Sequence, residues 1–311
     1  MKIAKVHIAL FFAVFAAVTA VIFFSAPSSR GEEPRPKNHA VVKAAALVTD
    51  QARSASSSAS GNTSSSAFVA AATQNTQLRN ELSWTFGGKQ QRGWYLYDLL
   101  ISKTLRTKDA PGTSDFAAVV AGWQKRNRLT ADGVLDQDAF MRMVSQWQGN
   151  RLKQRGYPDP SQLVTAPPSD FYDPGRAAEM RQVERNTYEA YKRMLAAAIA
   201  DPSLNLANTA PGTLAPKEKY FKIISSFRSR EYQEELRRRS PNAGSAGLAV
   251  NSPHFTGRAL DIYVGGSPVD TKDANRAIQV NTPAYRWLVR NAERFGFRPY
   301  FYEPWHWEYV R

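Results

Sequence analysis

An uninterrupted apolar run near the N-terminus limits which part of the chain can form a folded core. The run covers the 17 residues Ile8–Phe24 and follows Lys2 and Lys5. Because it is apolar on every face, it is typical of a secretion signal or a membrane anchor rather than of a core helix. Basic residues ahead of the run keep that end in the cytoplasm, so we expect the rest of the chain to be exported. A cleaved signal peptide and a retained anchor within residues 1–29 both fit.

The segment that follows, residues 30–77, has the composition of a linker. Its tract Ser54–Ala67 is almost entirely Ser, Ala, Gly, Asn and Thr. Such a sequence cannot bury enough apolar surface to offset the entropy lost on ordering. We therefore predict a disordered tether, and a folded body that begins at about residue 78.

Composition excludes several kinds of site. The chain has no cysteine, so disulfides, thiolate zinc sites, iron–sulfur clusters and cysteine nucleophiles are all ruled out. A formal net charge of +14 raises nucleic acid as a partner. The basic excess is spread along the chain, however, and forms no basic stripe with interleaved aromatic residues. We predict no nucleic-acid binding and a positive field suited to an anionic polymer or a membrane surface.

Residues 78–155 predict a small module of three helices. The spacing of apolar residues places the first helix at residues 94–105. The second helix starts at a cap at Ser114 or Asp115 and continues through residue 123, and the third includes residues 140–147. The end of the second helix and the turn after it resemble the peptidoglycan-binding three-helix module. The matching residues are the pair Trp123–Gln124, Leu129 and the turn Asp132–Gly133–Val134. Asp136 and Ala139 replace the next Gly and Thr of that family. The resemblance implies wall binding, and a helical spacer without a ligand is the alternative.

Proline and turn-forming residues mark a second boundary. They are concentrated in residues 156–173, which we predict to be a linker. Asp173–Pro174 then predicts the start of a long helix, because aspartate caps a helix and proline suits its first turn. Apolar residues continue at helical spacing from Ala177 to Ala198. A second domain is therefore expected over residues 174–311.

The C-terminal segment contains the residues suited to chemistry. Around Asp261, residues 259–264 alternate in a strand pattern with aliphatic side chains on one face and a carboxylate on the other. His306 lies in an aromatic strand, and Pro304 would interrupt pairing there, so we expect Glu303 at a strand edge or bulge. Carboxylates buried without a counter-charge are costly, and a divalent cation would remove that cost. Two imidazoles, from His254 and His306, with one carboxylate form a three-ligand set for catalytic zinc.

Iron(II) is the alternative metal for two histidines and one carboxylate. Such iron sites usually place the first histidine and the acid two residues apart on one strand. His254 and Asp261 are seven residues apart, which argues against iron.

These motifs resemble those of the VanY-type zinc D-alanyl-D-alanine carboxypeptidases, a group of the LAS peptidases. Ser252, His254, Gly257, Ala259 and Asp261 match the family signature SxHxxGxAxD. Glu303 to His306 match the second family motif, ExxH. Upstream, Ser226-Phe-Arg-Ser-x-x-Tyr-Gln233 resembles the family stretch SGYRSxxYQ. Pro253 departs from the glutamate that many relatives carry.

The resemblance implies a role for each matching residue. His254, Asp261 and His306 would bind zinc. Glu303 would be the general base, which takes a proton from the attacking water and passes it to the leaving amine. Arg228 would stabilise the oxyanion, together with the metal. Ser252 and Gln233 are candidates for hydrogen bonds to the substrate.

The resemblance also implies an overall architecture and activity. We expect an α+β fold, in which a small antiparallel sheet with flanking helices follows the three-helix module. The expected function is an extracytoplasmic, secreted or membrane-anchored monomeric zinc peptidase that trims peptidoglycan stem peptides, most simply at D-Ala–D-Ala. An endopeptidase acting on cross-links and a non-catalytic wall-binding protein are the alternatives.

Overall fold

The computed structural model describes residues 59–239 and 252–311. Its α-helices are α1 (Ala59–Glu81), α2 (Asp98–Leu105), α3 (Ser114–Arg126), α4 (Gln137–Gly149), α5 (Arg185–Ile199), α6 (Arg230–Arg239), α7 (Asp273–Val280) and α8 (Pro283–Asn291). Its strands are β1 (Ser83–Phe86), β2 (Lys89–Arg92), β3 (Leu163–Thr165), β4 (Gln182–Glu184), β5 (Asn208–Ala210), β6 (Thr213–Leu214), β7 (Ile223–Ser225), β8 (Ala259–Ile262), β9 (Phe297–Pro299) and β10 (His306–Tyr309). The fold is α+β, as predicted.

Helix α1 corrects the prediction of a disordered linker, because it begins inside that segment, at residue 59. The helix packs against α3 and buries the small side chains of Ala71 and Ala72. The buried amide of Asn75 donates to the carbonyl of Gly133 at 2.9 Å and accepts from the N–H of Leu135 at 2.7 Å. Tertiary contacts thus stabilise a helix that the composition alone does not favour.

The predicted signal or anchor in residues 1–29 lies outside the described residues, as does the linker up to residue 58. Across residues 59–239 and 252–311, no helix is both long enough and apolar enough to cross a membrane.

The N-terminal module contains more than the three predicted helices. Helices α2, α3 and α4 overlap the predicted ones, but α2 begins at Asp98 rather than at Trp94, and α3 is capped by Thr113, whose hydroxyl accepts the N–H of Phe116 at 3.2 Å. This corrects the predicted cap at Ser114 or Asp115. An antiparallel hairpin of β1 and β2, which the sequence analysis missed, turns at Gly87 and Gly88 with φ values of 59° and 73°.

The residues that resemble a wall-binding module hold the module's own turn together. The Gln124 amide donates to Asp132 at 2.8 Å and accepts the N–H of Gly133 at 2.9 Å. Asp132 in turn accepts the N–H of Val134 at 2.9 Å. These residues therefore have a structural role that needs no ligand.

Residues 156–173, predicted as a linker, are packed against the C-terminal domain. Strand β3 pairs antiparallel with β4. The buried carboxylate of Asp170 accepts from Tyr188 at 2.7 Å and pairs with Lys192 at 3.1 Å. Phe171 is fully buried and forms a parallel bridge with Ile223. The C-terminal body thus begins before residue 174.

The helix predicted to begin at Asp173–Pro174 begins instead at Arg185. Its cap is Glu184, whose carboxylate accepts the N–H groups of Asn186 and Thr187 at 3.1 and 2.8 Å. The preceding residues form a 3₁₀ turn and β4. The turn at residues 174–175, the 3₁₀ helix and the pairing of β4 with β3 thus replace the helix that the apolar spacing predicts.

A four-stranded antiparallel sheet in the order β7-β8-β10-β9 forms the centre of the C-terminal domain. Its register places His306 directly opposite Asp261, and Ser225 opposite Asp261 on the other side. The fully buried Leu260 and Ile262 lie on β8 beside this pair. One central strand therefore contributes both to the core and to the site.

The two halves of the chain share an aromatic core, here called the interface cluster. Its members from the N-terminal half meet those of the loop between β9 and β10, and the full set is Trp84, Phe86, Tyr97, Phe140, Trp147, Tyr300, Phe301 and Tyr302. Polar contacts support the same interface. The Arg276 guanidinium donates to the Tyr97 hydroxyl at 2.9 Å, and Lys103 donates to the carbonyl of Val289 at 2.7 Å.

Candidate active site

His254 is held in a short 3₁₀ turn ahead of β8. Ser252 caps this turn, with its hydroxyl accepting the N–H of His254 at 3.3 Å, and Gly257 ends it with a φ of 66°. The ring atom Nδ1 lies 2.7 Å from the carbonyl of Ser226. Since a carbonyl only accepts, Nδ1 carries the proton and Nε2 presents its lone pair to Asp261.

Asp261 lies between the two histidines. Its Oδ1 is 2.9 Å from Nδ1 of His306, and its Oδ2 is 3.4 Å from Nε2 of His254. One ligand atom from each of the three residues lies within 4.8 Å of the others. All three side chains are buried, with Asp261 0% exposed. The structure thus brings together the three predicted ligands.

Two atoms of this cluster fit a bound cation. Nε2 of His254 and Oδ2 of Asp261 are both buried without a hydrogen-bond partner. Leaving such atoms unpaired is costly, and an ion between them would satisfy both. Two imidazole nitrogens and one carboxylate oxygen are donors that suit zinc.

Charges within the cluster shift its pKa values in opposite directions. Burial alone would raise the pKa of Asp261, but His254 and His306 hold it below its usual range. Burial lowers the pKa of His254. Although burial opposes the change, Asp261 and Glu308 raise the pKa of His306 to about 9. A metal that binds His306 at neutral pH must therefore displace a proton.

Glu303 lies in the loop of the β9–β10 hairpin, rather than at the strand edge or bulge predicted for it. Its N–H donates to the carbonyl of Tyr300 at 3.2 Å, and its own carbonyl accepts the N–H of His306 at 2.9 Å. The side chain is 2% exposed, and Oε1 has no hydrogen-bond partner. Burial raises the pKa of the Glu303 carboxyl to about 7. A carboxyl group that titrates near neutrality is suited to proton transfer.

Arg228 follows β7 and reaches the same site. It is buried, and its backbone N–H donates to the carbonyl of His254 at 3.2 Å. Burial lowers the pKa of the guanidinium, while the charges of Asp261 and Glu303 act in the opposite direction. Its positive charge therefore acts on the site that contains both carboxylates.

The other two predicted residues have different positions. Ser252 is buried and acts as the cap of the His254 turn. Gln233 belongs to α6, and its side chain lies outside the described part of the molecule.

The sequence analysis missed Glu308, which lies against the outer nitrogen of His306. Its Oε1 is 3.2 Å from Nε2 of His306. Residues 306 and 308 share one face of β10, because side chains alternate along a strand. A glutamate two residues after a ligand histidine, in an otherwise aromatic strand, is the sequence signal that could have identified it.

Two histidines and an aspartate that could hold a metal ion meet at a small antiparallel sheet, and a buried glutamate lies in the adjoining hairpin loop. Residues 180–311 match the family model of VanY, D-alanyl-D-alanine carboxypeptidase. This part of the chain is therefore a VanY-type peptidase domain, and it contains every predicted site residue. The match does not extend to the N-terminal module.

A solved structure of the LdcB LD-carboxypeptidase aligns with 51% of this chain and 74% of its own, at 23% sequence identity and a TM-score of 0.36. A comparison with curated proteins gives no match.

Proposed function

We propose that the chain is a zinc-dependent D-alanyl-D-alanine carboxypeptidase that acts on peptidoglycan stem peptides outside the cytoplasm. The observation that supports this most strongly is the pair of unpartnered buried atoms, on His254 and Asp261, next to His306. The VanY family match supports the peptide substrate. Export rests on the apolar run of residues 8–24, and wall binding by the N-terminal module rests on its sequence motif.

The residues can divide the hydrolysis between them. Zinc, when bound by His254, Asp261 and His306, supplies a Lewis acid that activates water and polarises a carbonyl. Glu303 accepts a proton as the water oxygen forms its bond to the carbonyl carbon. The same carboxyl then gives the proton to the amine as the C–N bond breaks. The Arg228 guanidinium stabilises the negative charge that develops on the carbonyl oxygen.

Digestion of purified wall fragments tests this function. The wild-type protein should release D-alanine, detected by mass spectrometry of the muropeptides. Glu303→Gln should lower turnover by roughly two to four orders of magnitude, as expected for loss of a general base, while zinc remains bound. Glu189→Gln, which changes an exposed glutamate on α5, is the matched control and should leave turnover unchanged.

Each other outcome identifies a different function. Cleaved cross-links without released D-alanine would indicate an endopeptidase. A zinc-loaded protein that gives neither product would indicate a wall-binding protein without activity. Iron rather than zinc in metal analysis of the purified protein would overturn the proposed chemistry.

A further inference from the structure

We propose that Glu308 is a positioning residue, which fixes the proton of His306 on Nε2 so that Nδ1 is available to a metal ion. The N-terminal half of the chain would hold Glu308 in place for this role. The inference rests on the zinc site proposed above and adds a residue that positions one of its ligands.

The two ring nitrogens of His306 face different carboxylates. Nδ1 faces Asp261 at 2.9 Å, on the side of the three-ligand cluster, and Nε2 faces Glu308 at 3.2 Å. A neutral imidazole carries one proton, and an ionised carboxylate can only accept. Each nitrogen thus faces a carboxylate oxygen that can accept its proton, so an ion that binds Nδ1 takes the place of the proton toward Asp261 and leaves the other proton on Nε2, against Glu308. Outer partners of this kind orient metal-binding histidines and raise their basicity.

The Glu308 carboxylate is itself held by residues of the N-terminal half. Its Oε1 accepts from Nε and Nη2 of Arg151 at 3.1 and 2.5 Å, and its Oε2 accepts the N–H of Leu152 at 2.9 Å. Arg155 adds a second cation at 3.4 Å. The side chain is 0% exposed. Both oxygens are thus engaged, so the carboxylate has one orientation relative to His306.

Arg151 is packed against an aromatic ring next to His306. Its guanidinium lies 3.9 Å from the centre of the Tyr300 ring, and the same ring lies edge-on to His306 at 5.8 Å. Arg151 is therefore packed between an aromatic face and the carboxylate that it binds. A stacked arginine of this kind is more restrained than a solvated one.

Arg151, Leu152 and Arg155 directly follow α4, outside the residues that match the VanY model. The segment after the helical module therefore completes the surroundings of a ligand that lies on β10. Within the described residues, this makes the N-terminal half part of the metal site, in addition to any role in reaching the wall.

A buried ion pair that only stabilises the fold is the competing explanation, and zinc affinity separates the two. The metal-free wild-type protein would be titrated with zinc against a chromophoric chelator and compared with Glu308→Gln. We expect the variant to bind zinc 10- to 100-fold more weakly, as is typical for loss of an outer partner. The matched control is Asp170→Asn, which alters a buried carboxylate paired to Lys192 and should bind zinc as the wild type does.

Two further measurements apply if Glu308→Gln does not fold. The double variant Glu308→Gln with Arg151→Met removes the surplus buried cation and should fold with the same weak zinc binding. In the zinc-loaded wild type, long-range ¹⁵N correlation spectra should show His306 with its proton on Nε2. The chain has four histidines, which keeps the assignment tractable.

Failure of the zinc site and failure of the Glu308 role give different results. A wild-type protein that binds no zinc refutes the proposed function. A wild-type protein that binds zinc, with Glu308→Gln within twofold of it, refutes the role of Glu308 alone. A zinc-loaded His306 with its proton on Nδ1 also overturns that role, whatever the variants do.

Discussion

Truncation of Phe301 tests whether the two halves of the chain share one core. Phe301 is 2% exposed. Its ring lies 4.8 Å from Phe86, 5.5 Å from Tyr97 and 5.9 Å from Trp147, measured between ring centres. All three partners belong to the N-terminal half, so Phe301→Ala opens a cavity between the halves. Removal of a buried phenylalanine costs about 3–5 kcal/mol.

The cost converts into a shift of the unfolding midpoint. A folded unit of roughly 150–250 residues loses about 2–4 °C of Tm for each kcal/mol. Phe301→Ala should therefore lower Tm by roughly 6–20 °C, measured by circular dichroism or calorimetry. Ile278→Ala, which truncates an apolar side chain that is 58% exposed, is the control and should change Tm by about 2 °C or less. A Tm for Phe301→Ala that matches this control would refute the shared core.

Three further predictions concern the site. In the metal-free protein, Glu303 has a pKa of about 7 against 4.5 for its ordinary value, so the folded state holds the proton more tightly. Stability should then fall by about 3 kcal/mol as pH rises from 4.5 through 7, because the unfolded chain loses its proton first; since His306 and Asp261 titrate in both proteins, denaturant titrations should show this slope as the difference between the wild type and Glu303→Gln. Asp261→Asn should abolish zinc binding at micromolar protein, and zinc content equal to wild type would contradict the ligand assignment. Gly257→Ala should destabilise the protein by more than Gly88→Ala in denaturant titrations; both glycines have positive φ, but an added Cβ at Gly257 would lie 2.8 Å from the backbone N of Glu184, and at Gly88 nothing lies within 4 Å. Equal losses would show that this contact relaxes freely.

The candidate metal site could be predicted from sequence because two of its three residues lie close together along the chain. His254 lies in the 3₁₀ turn that leads into β8, the strand that contains Asp261, so the chain itself brings the two residues close together. His306 comes from a distant segment, but the ExxH spacing identified it. Its pairing opposite Asp261 then follows from adjacent antiparallel strands.

Contacts between distant segments could not be predicted in the same way. The stretch after Asp173 has helical apolar spacing, yet it forms a 3₁₀ turn and then pairs with β3, and the α-helix begins only after Glu184. Helix α1 has few apolar residues and depends on α3 and on the hydrogen bonds of Asn75. The role of Glu308 depends on Arg151, which is 157 positions away. The spacing of apolar residues along a sequence does not show which distant segments will be in contact.

The direct pairing of His306 with Asp261 also limits how chains of this kind can change in length. Side chains alternate sides along a strand, so gain or loss of one residue inside β8 or β10 would turn one ligand toward the opposite side of the sheet. Insertions are tolerated only where the polypeptide leaves the ladder, as between Ile262 and Asp273, where no strand intervenes. Insertions and deletions among related sequences should therefore occur in the loops between strands, while β8 and β10 keep a constant length.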